Sequence, residues 1–142
     1  LEESLQWVID NADIYNIASI NLSLDDEQNW NTSASHYGIG DELAALAGMG
    51  IIVAGAAGNN FAKFNSKQGL AYPAADPNVI AVGAVWEDTD QIADFSQRHQ
   101  SMSDIFAPGI PIEAANANGG ITTKGGTSQA APYISCLLYT SD

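Results

Sequence analysis

The run Ile51-Ile52-Val53-Ala54-Gly55-Ala56 carries no polar side chain at any position, and Gly58-Asn59-Asn60 ends it abruptly. A strand that is apolar on both faces has to be covered on both, the condition of a central strand in a parallel sheet. Six residues are too few for a buried helix, which needs about ten or more. Val79-Ile80-Ala81-Val82-Gly83-Ala84-Val85 repeats the pattern and predicts a second strand of the same kind. Parallel neighbours require crossover connections, usually helices, so the intervening sequence is constrained as well. Leu5, Val8 and Ile9 lie at helical spacing behind Glu2 and Glu3, whose charges suit a first turn. Ile17 to Leu24 reads as a buried strand with partial alternation, and Asp25 to Ser35 as a polar loop. A second helix is predicted from about Gly40 to Met49, with Gly50 ending it. Ile105-Phe106-Ala107 and Ile112-Glu113-Ala114 are shorter strand candidates, and Ala130 to Leu138 reads as a final helix. This order predicts an α/β fold in which helices cover a largely parallel sheet.

Charge and cysteine content narrow the function. The chain holds 17 Asp and Glu against 4 Lys and Arg, a formal net charge of −13, with 46% hydrophobic residues. That apolar content builds a core, unlike the composition of a disordered acidic tail. The only cations are Lys63, Lys67, Arg98 and Lys124, too few to neutralise a phosphate backbone, so no nucleic-acid partner is expected. No apolar run approaches the roughly 18 residues of a membrane span, so no membrane partner is expected. No cationic start with a small-residue cleavage site opens the chain. Cys136, the single cysteine, excludes an internal disulfide and a CxxC zinc site, and no metal ligands are assigned.

Ligands of open α/β sheets bind beyond the carboxyl ends of the strands, which singles out Asn59 and Ser128. Ser128 lies in Gly125-Gly126-Thr127-Ser128-Gln129-Ala130-Ala131-Pro132, at the start of the last helix. One reading is a helix cap, because Ser and Thr are favoured there. The other is a nucleophile, because a helix N-terminus offers free N–H groups and a positive dipole end to a developing oxyanion. The paired glycines allow close approach, and Pro132 breaks a local rule inside the helix. Asn59 is either a turn residue or an amide donor placed across the mouth of the sheet. Two phosphate motifs fail: Gly120 to Thr127 has Gly126 where lysine is needed, and Gly38-Ile39-Gly40 lacks a third glycine.

Taken together, these segments carry a resemblance. Gly126-Thr127-Ser128-Gln129-Ala130-Ala131-Pro132 closely resembles the nucleophile motif of subtilisin-like serine proteases, the subtilases of peptidase family S8. Ala57-Gly58-Asn59-Asn60 resembles their oxyanion-asparagine motif. Tyr72-Pro73-Ala74, Pro77 to Ala84, Phe95-Ser96 and Phe106-Ala107-Pro108-Gly109 are similar to further segments in the family's order. Ile20 to Leu24 resembles the strand lining the substrate cleft. The resemblance implies a subtilisin-like three-layer α/β fold and peptide-bond hydrolysis through an acyl-enzyme. It implies Ser128 as nucleophile, with the Asn59 side chain and the Ser128 N–H as oxyanion donors. Ser23 and Leu24 would wall the cleft and pair with a polypeptide substrate, and Ala56, Ala57 and Gly58 would line the pocket before the scissile bond. No cofactor is implied for the chemistry; structural calcium and a secreted location are compatible with it.

The family's Asp-Ser/Thr-Gly and His-Gly-Thr-His segments do not occur in these 142 residues. Asp10 falls on the first helix rather than at a strand end, and His36 follows the cleft strand instead of preceding it. Both His36 and His99 read as solvated loop residues. The resemblance therefore implies that residues 1–135 are the C-terminal part of a serine endopeptidase domain whose N-terminal part is missing. An isolated chain of this kind is expected to be inactive. The alternative is a non-catalytic pseudoprotease or binding module on the same fold. Residues 136–142 depart from the family pattern and suggest a truncation junction. Asp25-Asp26-Glu27 reads as a solvated acidic loop, a preference for basic substrate residues, or carboxylates for calcium.

Overall fold

A computed structural model describes residues 1–140; residues 141 and 142, part of the segment 136–142 set apart on sequence, lie outside the described residues. The chain begins with helix α1 (Glu2–Tyr15), followed by β1 (Ser19–Leu22), α2 (Gly40–Gly48) and β2 (Ile52–Ala56). It continues through β3 (Ile80–Trp86), β4 (Ile105–Ile110), β5 (Ile112–Ala115) and β6 (Ile121–Lys124) to α3 (Thr127–Thr140). The strands β1-β2-β3-β4 form one sheet in that order, every pair parallel, as the doubly apolar runs require. Asn16, in the left-handed region at φ 52°, closes α1 and turns the chain toward β1, a conformation that asparagine tolerates.

Alternation along the central strands sends neighbouring side chains to opposite cores. Val53 and Ala81 join Leu5 and Ala12 of α1 and Leu43 and Leu46 of α2. Ala54, Ala56, Val82 and Ala84 instead meet Ala130, Ala131 and Ile134 of α3. Helices thus cover both faces, giving three layers. The second core is built mainly of alanine, which lets α3 sit low across the sheet and brings its first turn to the carboxyl ends of β1 and β2.

Three features differ from the sequence expectation. β1 ends at Leu22, so Ser23 and Leu24 lie beyond the strand. α3 starts at Thr127 rather than Ala130, placing Ser128 inside its first turn. The Ile112 segment leaves the main sheet and pairs antiparallel with β6, which the sequence reading missed. β6 is short and mostly exposed, so no buried face marks it by hydrophobic pattern. The available signal was Gly119-Gly120, both at positive φ in the connecting turn.

The loop after β1 is not simply solvated. The Asp26 carboxylate accepts hydrogen bonds from Trp30 Nε1 (2.8 Å), Tyr37 Oη (3.0 Å), Tyr72 N (2.9 Å) and Gln28 N (3.1 Å). Partial burial acts to raise its pKa, but the donors, led by Trp30 and Tyr72, outweigh it and hold the carboxyl below its ordinary value. The loop is also joined to the segment before Pro73 by a reciprocal backbone pair between Trp30 and Leu70, 2.8 Å each way. His36 stacks on the Trp30 ring at 3.7 Å between centroids and meets Tyr72 edge-on. It is half-buried with its Nε2 enclosed, not the solvated histidine expected.

Two outcomes follow for stability. Leu43 is fully buried, so Leu43→Ala should cost about 2–5 kcal/mol in urea unfolding, whereas Ile14→Ala on the exposed side of α1 should stay within about 0.5 kcal/mol. Because the Asp26 pKa is lowered on folding, its contribution is present above the unfolded value of 3.8 and disappears as pH falls through the folded value. Asp26→Asn should lower the melting temperature at pH 7 and flatten the acid limb of the stability profile. An unchanged acid limb would remove the carboxylate from that role.

Candidate active site

The carboxyl ends of β1 and β2 converge on the N-terminus of α3. Ser23 follows β1 directly, and its Oγ donates to the Ser128 carbonyl at 2.7 Å while receiving Asn21 Nδ2 at 2.9 Å. Ser128 Oγ donates in return to the Ser23 carbonyl at 3.3 Å. Pro132 explains why the Ser128 carbonyl is available. It lies four residues on in α3, where an N–H would normally bond back to that carbonyl, and proline has none. Ser23 Oγ occupies the acceptor that the proline leaves.

Asn59 lies just past β2 and is exposed, yet its amide is anchored at one end. Its Oδ1 accepts from Thr127 N at 2.8 Å and from Thr127 Oγ1 at 3.2 Å. Thr127 Oγ1 accepts in turn from Gly58 N at 3.1 Å. A backbone N–H can only donate, so the amide oxygen faces Thr127 and Nδ2 is turned the other way. Among the described residues Nδ2 has no hydrogen-bond partner, and neither has the Ser128 N–H in the first turn of α3. Two donors are therefore unspent beside the Ser128 hydroxyl, at the positive end of a helix. A Cβ at 126 would meet Gln129 Oε1 at 2.8 Å, the movable end of that side chain, and Asn59 Oδ1 at an ordinary 3.4 Å.

The sequence-assigned residues separate into two groups. Ser128, Asn59 and Ser23 meet at one edge, and Leu24 stands beside them, 44% exposed. Ala56 and Ala57 are fully buried in opposite cores, and Gly58 is buried with its α-carbon against Gln97 and Ala71. Neither histidine reaches the serine. His36 is held in the Trp30 stack, and His99 Nδ1 accepts from Ser101 N at 3.2 Å. Asp10 accepts from Gln6 on the outer side of α1. Among the described residues Ser128 Oγ bonds only to the Ser23 carbonyl, so no general base is in place. No three His, Cys, Asp or Glu side chains among the described residues group as a metal site.

Sequence reasoning overlooked Thr127, fully buried within the very motif it quoted. A threonine preceding the presumed nucleophile was the available signal, since its hydroxyl needs a partner once buried. It also overlooked Gln97, which carries no pattern in sequence and is fully enclosed in the structure.

The chain is similar to known proteins in both sequence and fold. The pattern of the subtilase family, peptidase S8, matches residues 1–138. Subtilisin E of Bacillus subtilis is 34% identical over 130 residues, 92% of this chain and 31% of its own length. Subtilisin-like protease 7 of Arthroderma gypseum is 38% identical over 97 residues, 68% of this chain and 23% of its own. Among solved structures, the prenylagaramide maturation protease PagA superposes with a TM-score of 0.75 at 27% identity, covering 95% of this chain and 47% of that one. The self-cleaved protease domain of PatA gives 0.75 at 28% identity, over 95% and 49%. The chain thus spans about a third or less of these curated relatives and just under half of these protease structures. It belongs to the subtilase family of serine peptidases.

Proposed function

We propose that this chain supplies the nucleophile and the oxyanion hole of a serine endopeptidase, and that the Asp and His of the triad come from a segment outside these 142 residues. The observation that carries the reading is the pair of unspent donors, Asn59 Nδ2 and Ser128 N–H, at the helix end that carries one serine hydroxyl. In the reaction, Ser128 Oγ loses its proton to the supplied histidine and attacks a peptide carbonyl. Negative charge then develops on the former carbonyl oxygen, where two preorganised donors stabilise it without reorganising. Collapse expels the amine and leaves an acyl-serine, which water hydrolyses by the same route. The Ser128–Ser23 contact at 3.3 Å is long and is exchanged readily for the histidine.

The substrate is a polypeptide. Ser23 and Leu24, extended past β1 and exposed, offer backbone groups to an added strand. The chemistry calls for no cofactor, and a secreted setting belongs to the same proposal. A pseudoprotease on the same fold would retain these donors but never acquire the base, which makes the two readings separable.

The test is active-site labelling with a serine-directed fluorophosphonate. The 142-residue chain alone should remain unlabelled, and a protein joining it to Asp-Ser/Thr-Gly and His-Gly-Thr-His segments should label at Ser128. Ser128→Ala should abolish that labelling; persistent labelling would place the nucleophile elsewhere. In the joined protein, Asn59→Ala should lower kcat about 10²–10³-fold with KM little changed, a magnitude carried over from loss of the equivalent donor in subtilisin, a member of this family. A joined protein that never labels supports the pseudoprotease.

A further inference from the structure

An oxyanion donor on an exposed connection is effective only if its backbone is held, because misplacement by about 1 Å can cost on the order of 100-fold in rate. Thr127 fixes the side-chain oxygen of Asn59 but not the main chain on both sides of it. That task falls to a residue far away in sequence. Gln97 N donates to the Gly58 carbonyl at 2.9 Å, and Gln97 Oε1 accepts from Asn60 N at 3.3 Å. The Gly58 carbonyl belongs to the peptide plane before Asn59, and the Asn60 N–H to the plane after it. The relative rotation of these two planes is set by φ and ψ of Asn59, so one residue restrains both dihedrals.

Gln97 is itself anchored. Its Nε2 donates to the Gln28 carbonyl and to Asn29 Oδ1, each at 2.9 Å. Asn29 Nδ2 reaches the carbonyls of Lys67 and Gln68 at 3.3 and 3.4 Å. The Gln97 side chain is fully buried and hydrogen-bonded at both ends of its amide, which makes it costly to move. Room for it exists because position 58 is glycine at φ +104°: a Cβ there would collide with the Gln97 amide and approach Ala71 Cβ to 2.9 Å. Gly58 and Gln97 are therefore one device, a vacancy and the amide that fills it.

We propose that Gln97 is a positioning residue for the Asn59 oxyanion donor, bracketing its backbone through the Gly58 carbonyl and the Asn60 N–H. This rests on the protease reading above. Gln97 touches no reacting atom, and its effect is exerted through the geometry of Asn59. Because that donor acts in the transition state, loosening it lowers kcat and leaves KM nearly unchanged.

The test is a double-mutant cycle in the joined, active protein. Gln97→Met conserves volume and removes the side-chain hydrogen bonds; it should lower kcat about 10- to 100-fold. In an Asn59→Ala background the same change should alter kcat by less than about twofold, because the donor it positions is already gone. A merely structural role would lower activity equally in both backgrounds, and that result, or an unchanged kcat in Gln97→Met, overturns the proposal. Should Gln97→Met not fold, Gln97→Glu serves in the same cycle: its carboxylate faces two acceptors, Gln28 O and Asn29 Oδ1, and is expelled. Ser128→Ala separates the two claims. Retained turnover there rejects the protease reading and this proposal with it, whereas loss of turnover with an uncoupled Gln97 variant rejects the bracket alone.

Discussion

The hydrogen bond from Thr127 N to Asn59 Oδ1, at 2.8 Å, joins the end of the central strand to the start of the last helix. It fixes which end of the asparagine amide faces out, and so decides whether the site offers a donor or an acceptor. Everything else at this edge is compatible with that contact. Thr127 Oγ1 ties it to Gly58, and Gln97 holds the chain around it. The polarity of the site is therefore a consequence of one short contact between segments 68 residues apart.

That contact depends on packing beneath it. An alanine-rich interface between α3 and the sheet permits a close approach that larger side chains would prevent. Parallel strands all end at the same edge, so Ser23 and Asn59 emerge side by side, and α3 begins where they emerge. Pro132 then adds a local effect. By withholding an N–H it leaves the Ser128 carbonyl to Ser23, stitching the end of β1 to the first turn of α3. A helix defect and a strand end thus become one structure.

Much of this was legible in the sequence, for identifiable reasons. The runs around Val53 and Val82 have no polar face, so their place in a doubly covered sheet followed directly. Ser128 and Asn59 stood at the breaks after such runs. What was not legible depends on contacts distant in sequence. Asp26 looked like a solvated carboxylate until Trp30, Tyr37 and Tyr72 were brought to it by the fold. His36 looked exposed because its partners in the stack are not its neighbours in a periodic pattern. Gln97 is polar in an irregular stretch, and nothing short of the fold places it under Gly58. β6 lacked a buried face to announce it.

If Asn59 Nδ2 and the Ser128 N–H form an oxyanion hole, a mimic of the tetrahedral intermediate engages both. The most direct measurement is a crystal structure of the joined protein carrying a peptidyl boronate on Ser128, whose tetrahedral oxygen mimics the developing charge. One boronate oxygen should lie about 2.7–3.1 Å from both Asn59 Nδ2 and Ser128 N, with Asn59 Oδ1 still on Thr127. A boronate oxygen pointing to solvent, or an Asn59 side chain swung off Thr127, would contradict it.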